Sequence, residues 1–171
     1  MRNQFAFGAA LLSVILMSCS SANESGNASA PTGTVASFSQ CKSSLQASAM
    51  DTTLPNQDCL EYQYDGDSVL LFKHVNAAFN CCPDSFTAAF SFAGQLITIE
   101  EAERLTHPCN CLCLFDLNLR IVDLTPGTYT IKVEEPYLWE GATVLEFTVD
   151  LRSSPSGSYC VTRDRYPWGT P

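Results

Sequence analysis

Three cysteines at alternate positions, Cys109, Cys111 and Cys113, and an adjacent pair, Cys81 and Cys82, form the densest reactive grouping in the chain. Thiolates spaced this way, joined by His74, could hold Cu or Zn, because soft sulfur donors select those ions. The competing chemistry is oxidation. Apart from Cys19 the cysteines are Cys41, Cys59, Cys81, Cys82, Cys109, Cys111, Cys113 and Cys160, an even set. In an exported chain an even set reads as four disulfides, with no cofactor required. On a strand, Cys109, Cys111 and Cys113 share one face, with Cα atoms roughly 6.5 Å apart and parallel Cβ vectors, which disfavours bridges among them. Each should therefore reach a different segment. Cys81, Cys82 and either Cys41 or Cys59 are the available partners, and Cys160 takes the remaining one.

Other chemistry-bearing residues are sparse. His74 and His107 are the two candidate bases, and neither stands near a G-x-S-x-G elbow. His74 alternates with Leu70 and Phe72, as a hydrogen-bonded core histidine would, and His107 precedes Pro108 in a loop. Glu100, Glu101 and Glu103 could bind Ca²⁺ or act as a carboxylate pair, but they read first as a solvated strand end. No catalytic residue emerges, so the chain reads as no enzyme, with an envelope hydrolase of unrecognised site as the catalytic alternative. Tyr137, Trp139, Tyr159, Tyr166 and Trp168, with the tail from Arg163, are groups that bind sugars or peptides, although the same rings could cap a sheet edge.

Arg2 precedes an apolar run, Phe5 to Met17, that is shorter than the about 20 residues needed to cross a bilayer, which makes it an export signal. Leu16-Met17-Ser18-Cys19 resembles the bacterial lipobox, which implies removal of residues 1–18 and lipidation of Cys19, with palmitate among the acyl chains. More than one chain anchors firmly. Ser20 in place of Asp implies the outer membrane if the host is Gram-negative. Residues 19–40 are small and polar and read as a flexible tether; the domain is expected over 41–171. The chain carries a formal charge of −9, and the signal holds one basic residue and no acid, so the mature part is more acidic still. Nucleic acid is excluded by repulsion from phosphate.

From Leu60 onward the apolar period is two. It predicts strands over Cys59 to Tyr64 and Ser68 to Val75, and a hairpin from Phe86 to Glu100 turning at Gly94-Gln95. Further strands follow at Cys109 to Val122, Thr128 to Glu134 and Thr143 to Leu151. Leu124-Thr125-Pro126-Gly127-Thr128-Tyr129 resembles the tyrosine corner of immunoglobulin-like domains. The expected fold is all-β: an immunoglobulin-like or Greek-key β-sandwich stapled by disulfides.

Phe79-Asn80-Cys81-Cys82-Pro83, then Cys109-x-Cys111-x-Cys113-x-Phe115-Asp116, and Cys160 followed by Tyr166-Pro167-Trp168, resemble a group of bacterial cysteine-rich lipoproteins. The resemblance spans about residues 59–169. It implies a single exported β-domain and brings no activity with it. The expected protein is a monomer of the cell envelope, held to the membrane by lipid on Cys19, with an envelope protein or a polysaccharide as ligand.

Overall fold

The computed structural model describes residues 29–42, 53–165 and 167. Cys19, the signal before it, Tyr166 and Trp168 lie outside the described residues. Within them the chain is all β, with strands at Thr32–Phe38 (β1), Gln57–Tyr64 (β2), Leu70–Asn80 (β3), Ser85–Ala93 (β4), Leu96–Arg104 (β5), Leu112–Val122 (β6), Thr128–Glu134 (β7), Glu146–Asp150 (β8) and Ser156–Thr162 (β9). Two sheets form, ordered β1-β6-β3-β2-β9 and β4-β5-β7-β8. The chain changes sheet after β3, β5, β6 and β8, the crossing pattern of a Greek-key sandwich. All strand pairs are antiparallel except β5 with β7. Between those two the chain visits the opposite sheet as β6, and it returns running the way it left.

The period-two rows place Leu60, Leu70, Phe72, Ile97, Ile99, Leu117, Leu119, Ile121, Ile131 and Val133 between the sheets, all buried. Each such side chain contributes about 1.5–3 kcal/mol on leaving water. The turns follow the local chemistry. Asp65 Oδ1 accepts the N–H groups of Asp67, Ser68 and Val69 at 2.9 Å each, and Gly94 takes the left-handed φ of 61° that the β4–β5 hairpin needs. The Tyr129 hydroxyl donates to the Thr125 carbonyl at 2.8 Å, so the tyrosine corner is a bonded one.

Three expectations are corrected. The tether ends earlier than residue 40, because Thr32–Phe38 pairs with β6 as an edge strand. Its small residues are what let it fit: a Cβ on Gly33 would meet the Phe90 ring at 2.2 Å. The strand expected from Cys109 begins at Leu112, so Cys113 is buried in the core face while Cys109 and Cys111 lie in the preceding loop. The polar segment Ser156–Thr162, not foreseen as a strand, is the other edge of the same sheet.

The eight cysteines pair as Cys41–Cys113, Cys59–Cys160, Cys81–Cys111 and Cys82–Cys109. Cys59 and Cys160 are register partners across β2 and β9. As expected, Cys109, Cys111 and Cys113 each reach a different cysteine elsewhere in the chain. Because a bridge acts by restricting the unfolded chain, the long-range one matters most. Replacing both Cys59 and Cys160 by Ser, which opens a separation of 101 residues, should cost about 2–5 kcal/mol in a urea unfolding curve. An unchanged midpoint would contradict this pairing.

Candidate functional site

Where the apolar rows run out, five ionisable side chains continue them into the interior. Asp58 extends the row of Leu60 on β2, His74 that of Leu70 and Phe72 on β3, and Glu101 that of Ile97 and Ile99 on β5. Glu135 and Arg163 stand one residue beyond the ends of β7 and β9, in step with Val133 and Val161. Asp58 and His74 have no exposed surface, and Glu101 and Arg163 are 3% and 4% exposed.

His74 is held from both sides. Its Nδ1 lies 2.9 Å from both Glu101 carboxylate oxygens, and its Nε2 lies 2.7 Å from Asp58 Oδ1. The other Asp58 oxygen accepts Arg163 Nε at 2.8 Å and also meets Nη2. Nη2 donates in addition to Glu135 Oε2 at 2.5 Å, while Nη1 donates to the Thr143 carbonyl. The result is a chain Glu101–His74–Asp58–Arg163–Glu135 that joins both sheets.

Burial and the neighbouring charges set the protonation of His74, Asp58 and Glu135. It would lower the His74 pKa, but the Glu101 and Asp58 carboxylates overcome it and hold the value well above 6.5, so the ring is a cation. Burial would raise Asp58, but His74 and Arg163 hold it below its usual range. For Glu135 the balance falls the other way: burial, reinforced by the charge of Asp58, outweighs the pull of His74 and Arg163 and pushes it up to about 8. With Glu135 protonated, two carboxylates face two cations and the cluster is neutral. Oε1 of Glu135, otherwise without a hydrogen-bond partner, is then the natural place for the proton. A cavity of about 80 Å³ adjoins the outer side of Arg163, beside Trp139 and Thr143.

Among the described residues one group of candidate metal ligands, Asp58, His74 and Glu135, brings its atoms within 4.8 Å of one another. The donors are right for Zn²⁺, yet the Arg163 guanidinium already bridges the two carboxylates. A metal ion would have to displace a built-in cation, so these residues do not fit one. The thiolate site weighed for Cu or Zn fails more simply. Cys81, Cys82, Cys109, Cys111 and Cys113 are all in disulfides, which carry no thiolate, and His74 binds carboxylates, away from them.

Glu101 and Glu103 also depart from expectation. Neither belongs to a solvated strand end: Glu101 is buried on His74, and Glu103 accepts the Asn80 N–H at 2.8 Å and the Tyr137 hydroxyl at 2.5 Å. The signal was present in the alternation Ile97-x-Ile99-x-Glu101-x-Glu103, which keeps the inward phase. Asn80 was missed as well. Its Oδ1 accepts the N–H groups of Cys82 and Cys109 at 3.0 Å each, and its Nδ2 donates to the Cys109 carbonyl at 2.7 Å, holding the two ends of the paired-disulfide loop together. His107 is exposed in a loop, as expected. Tyr137 packs against the core, Trp139 lies under the Arg165 guanidinium at 5.0 Å, and Tyr159 is 36% exposed.

Comparison with models of protein families, with curated proteins and with solved structures finds no match for this chain.

The cluster gives stability a defined pH dependence. Glu135 has an ordinary value of 4.5 and a folded value of about 8. Between them the folded state binds a proton that the unfolded state releases, so stability falls as pH rises through that window. His74 acts in the same sense: its contribution is complete below 6.5 and is lost as pH climbs through its raised folded value. Asp58 acts oppositely, losing its contribution only as pH falls below 3.8. Denaturant midpoints measured across these values should decline toward alkaline pH. Glu135→Gln should flatten the part between 4.5 and 8, leaving the variant the more stable at the upper end by roughly 1 kcal/mol or more. Parallel profiles for the two proteins would refute the assignment. Asp58→Asn, which removes the carboxylate shared by His74 and Arg163 and leaves one buried positive charge in excess, should cost about 3–5 kcal/mol in the same assay.

Proposed function

We propose that this chain is a lipid-anchored protein of the bacterial cell envelope whose β-sandwich has a binding or structural role and carries out no catalysis. The observation that carries the reading is the pairing of every cysteine after Cys19 into four disulfides. Cross-links of this number persist in oxidising compartments and not in a cytosol. They support an exported chain, and the export signal with its lipobox supplies the means. Cys19 is the lipidated residue, the membrane is the first partner, and in a Gram-negative host the outer membrane is the destination. The likeness to cysteine-rich bacterial lipoproteins points the same way.

A non-catalytic role is supported by the state of the buried cluster. A general base must reach the proton it abstracts, and both ring nitrogens of His74 are engaged by carboxylates in a place with no exposed surface. For the ligand, the edges of the two sheets offer a surface. Phe147 of β8 stacks between Tyr62 of β2 and Tyr159 of β9, with ring centroids 5.7 and 5.0 Å apart. These rings, with Glu146, Thr148 and Ser158, line an open groove of about 540 Å³. Stacked rings beside hydroxyls and carboxylates suit a polysaccharide or an extended segment of an envelope protein. The protomer acts as a monomer.

The anchor is tested by detergent-phase partitioning of the full chain expressed in a bacterium. The parent should enter the detergent phase and Cys19→Ala the aqueous phase; a water-soluble parent would end this reading. Alkylation under denaturing conditions without reductant should find no free thiol in the parent, whereas several free thiols with stoichiometric copper or zinc would bring back the metal alternative.

A further inference from the structure

On the outer face of the five-stranded sheet lies a second polar cluster that the buried one does not use. β3 and β6 pair regularly up to His74–Leu117 and again from Ala77–Phe115. Val75 and Asn76 therefore stand opposite the single residue Asp116, which is a β-bulge. Asn76 takes the left-handed φ of 68° there, and its N–H donates to Asp116 Oδ1 at 3.1 Å. Opposite them the Cys41–Cys113 bridge and the bond from Lys42 N–H to the Leu114 carbonyl, 2.8 Å, fix the backbone of Lys42. Its ammonium reaches both neighbours, contacting Asp116 Oδ1 and donating to Asn76 Oδ1 at 3.1 Å. Asn76 is 3% exposed, and the side chains of Lys42 and Asp116 are 18% and 12% exposed.

The orientation of the Asn76 amide is set by its surroundings. Nδ2 donates to the carbonyls of Leu54 at 3.1 Å and Gln57 at 2.7 Å. That places the Lys42 amine in contact with both the Asn76 carboxamide and the Asp116 carboxylate, largely out of water, on backbone pinned by a disulfide and a bulge.

We propose that Lys42 and Asn76 join spontaneously in an intramolecular amide bond, with Asp116 as the proton carrier. The Lys42 ammonium passes a proton to the Asp116 carboxylate, and the freed lone pair on Nζ adds to Cγ of Asn76. Protonated Asp116 then delivers a proton to Nδ2, the Cγ–Nδ2 bond breaks, and ammonia leaves. One ammonium and one primary amide become one secondary amide and one ammonium ion, with no oxidant, cofactor or second substrate. Burial would raise Asp116, but the hydrogen bonds from Lys42 and the Asn76 N–H hold it below its usual range, so it begins as the base this sequence requires. The Leu54 and Gln57 carbonyls stabilise Nδ2 as it gains its third hydrogen. Holding amine and amide at contact distance replaces a bimolecular encounter, which is where intramolecular reactions gain most of their rate. The product closes a loop over a sequence separation of 34 residues, and unlike a disulfide it survives reductant.

The test is mass spectrometry of the purified full chain after denaturation, reduction and alkylation. The expected mass is short by one ammonia. Trypsin should fail to cut after Lys42, and the peptides bearing Lys42 and Asn76 should appear as one branched species. Lys42→Arg keeps the positive charge but offers no attacking amine of this kind, and together with Asp116→Asn it should restore the full mass and separate peptides. A parent with full mass and free cleavage after Lys42 overturns the proposal even if both variants fail to fold. A loss of ammonia that persists in Lys42→Arg also overturns it, because asparagine cyclising on its own backbone gives the same mass change.

Discussion

A guanidinium keeps its charge at any pH a protein meets, so carrying Arg163 into the interior obliges the fold to bring anions to it. Asp58 and Glu135 come from β2 and from the end of β7, in opposite sheets, and His74 and Glu101 extend the same network to β3 and β5. Every sheet pairing in this region must hold for these groups to meet. Ion pairs of this kind add little net stability over an apolar core, but losing one partner is costly, because the other is left charged and dry. The cluster thus acts as a specification of how the two sheets sit on each other. The proton on Glu135 completes it by removing the one negative charge in excess.

The disulfides do a different job. Three of the four, Cys41–Cys113, Cys81–Cys111 and Cys82–Cys109, converge on β6 or on the loop that leads to it. That loop has little apolar surface to bury, and covalent links with the Asn80 hydrogen bonds replace packing there. The fourth, Cys59–Cys160, holds β9, an edge strand of small polar residues, against β2. Covalent bonds appear where the hydrophobic effect is weakest, and charge pairing appears where the apolar rows stop. Both hold the domain to one shape.

The Lys42, Asn76 and Asp116 cluster follows from the same economy at the outer face. The bulge at Val75 and Asn76 interrupts the β3–β6 ladder and leaves a backbone N–H that Asp116 satisfies, so one carboxylate serves the backbone, the lysine and Lys73 together. A reactive contact arises there from the need to fill a gap in hydrogen bonding.

Much of this was legible in the residues. Alternation of period two marked β2 to β8 because a strand with one dry face must place its apolar residues at every second position. Cys109, Cys111 and Cys113 were expected to reach cysteines elsewhere and do, although the shared strand face behind that expectation holds for Cys113 alone, since Cys109 and Cys111 lie in the loop before β6. The same alternation carried His74 inward, as a hydrogen-bonded core histidine, and it carried Asp58, Glu101, Glu135 and Arg163 inward too, but for these four polarity hid it: a charged residue at an inward position looks like a strand end until its counter-charge is known. That counter-charge is far away in sequence, 105 residues separating Arg163 from Asp58, and local patterning holds no information about such pairs. The edge strands β1 and β9 were silent for a related reason, since they are held by backbone hydrogen bonds and neighbouring side chains and need no apolar row of their own. Which residues face inward is a property of the chain, whereas which charges meet, and so which of them remain charged, is decided only when the two sheets close.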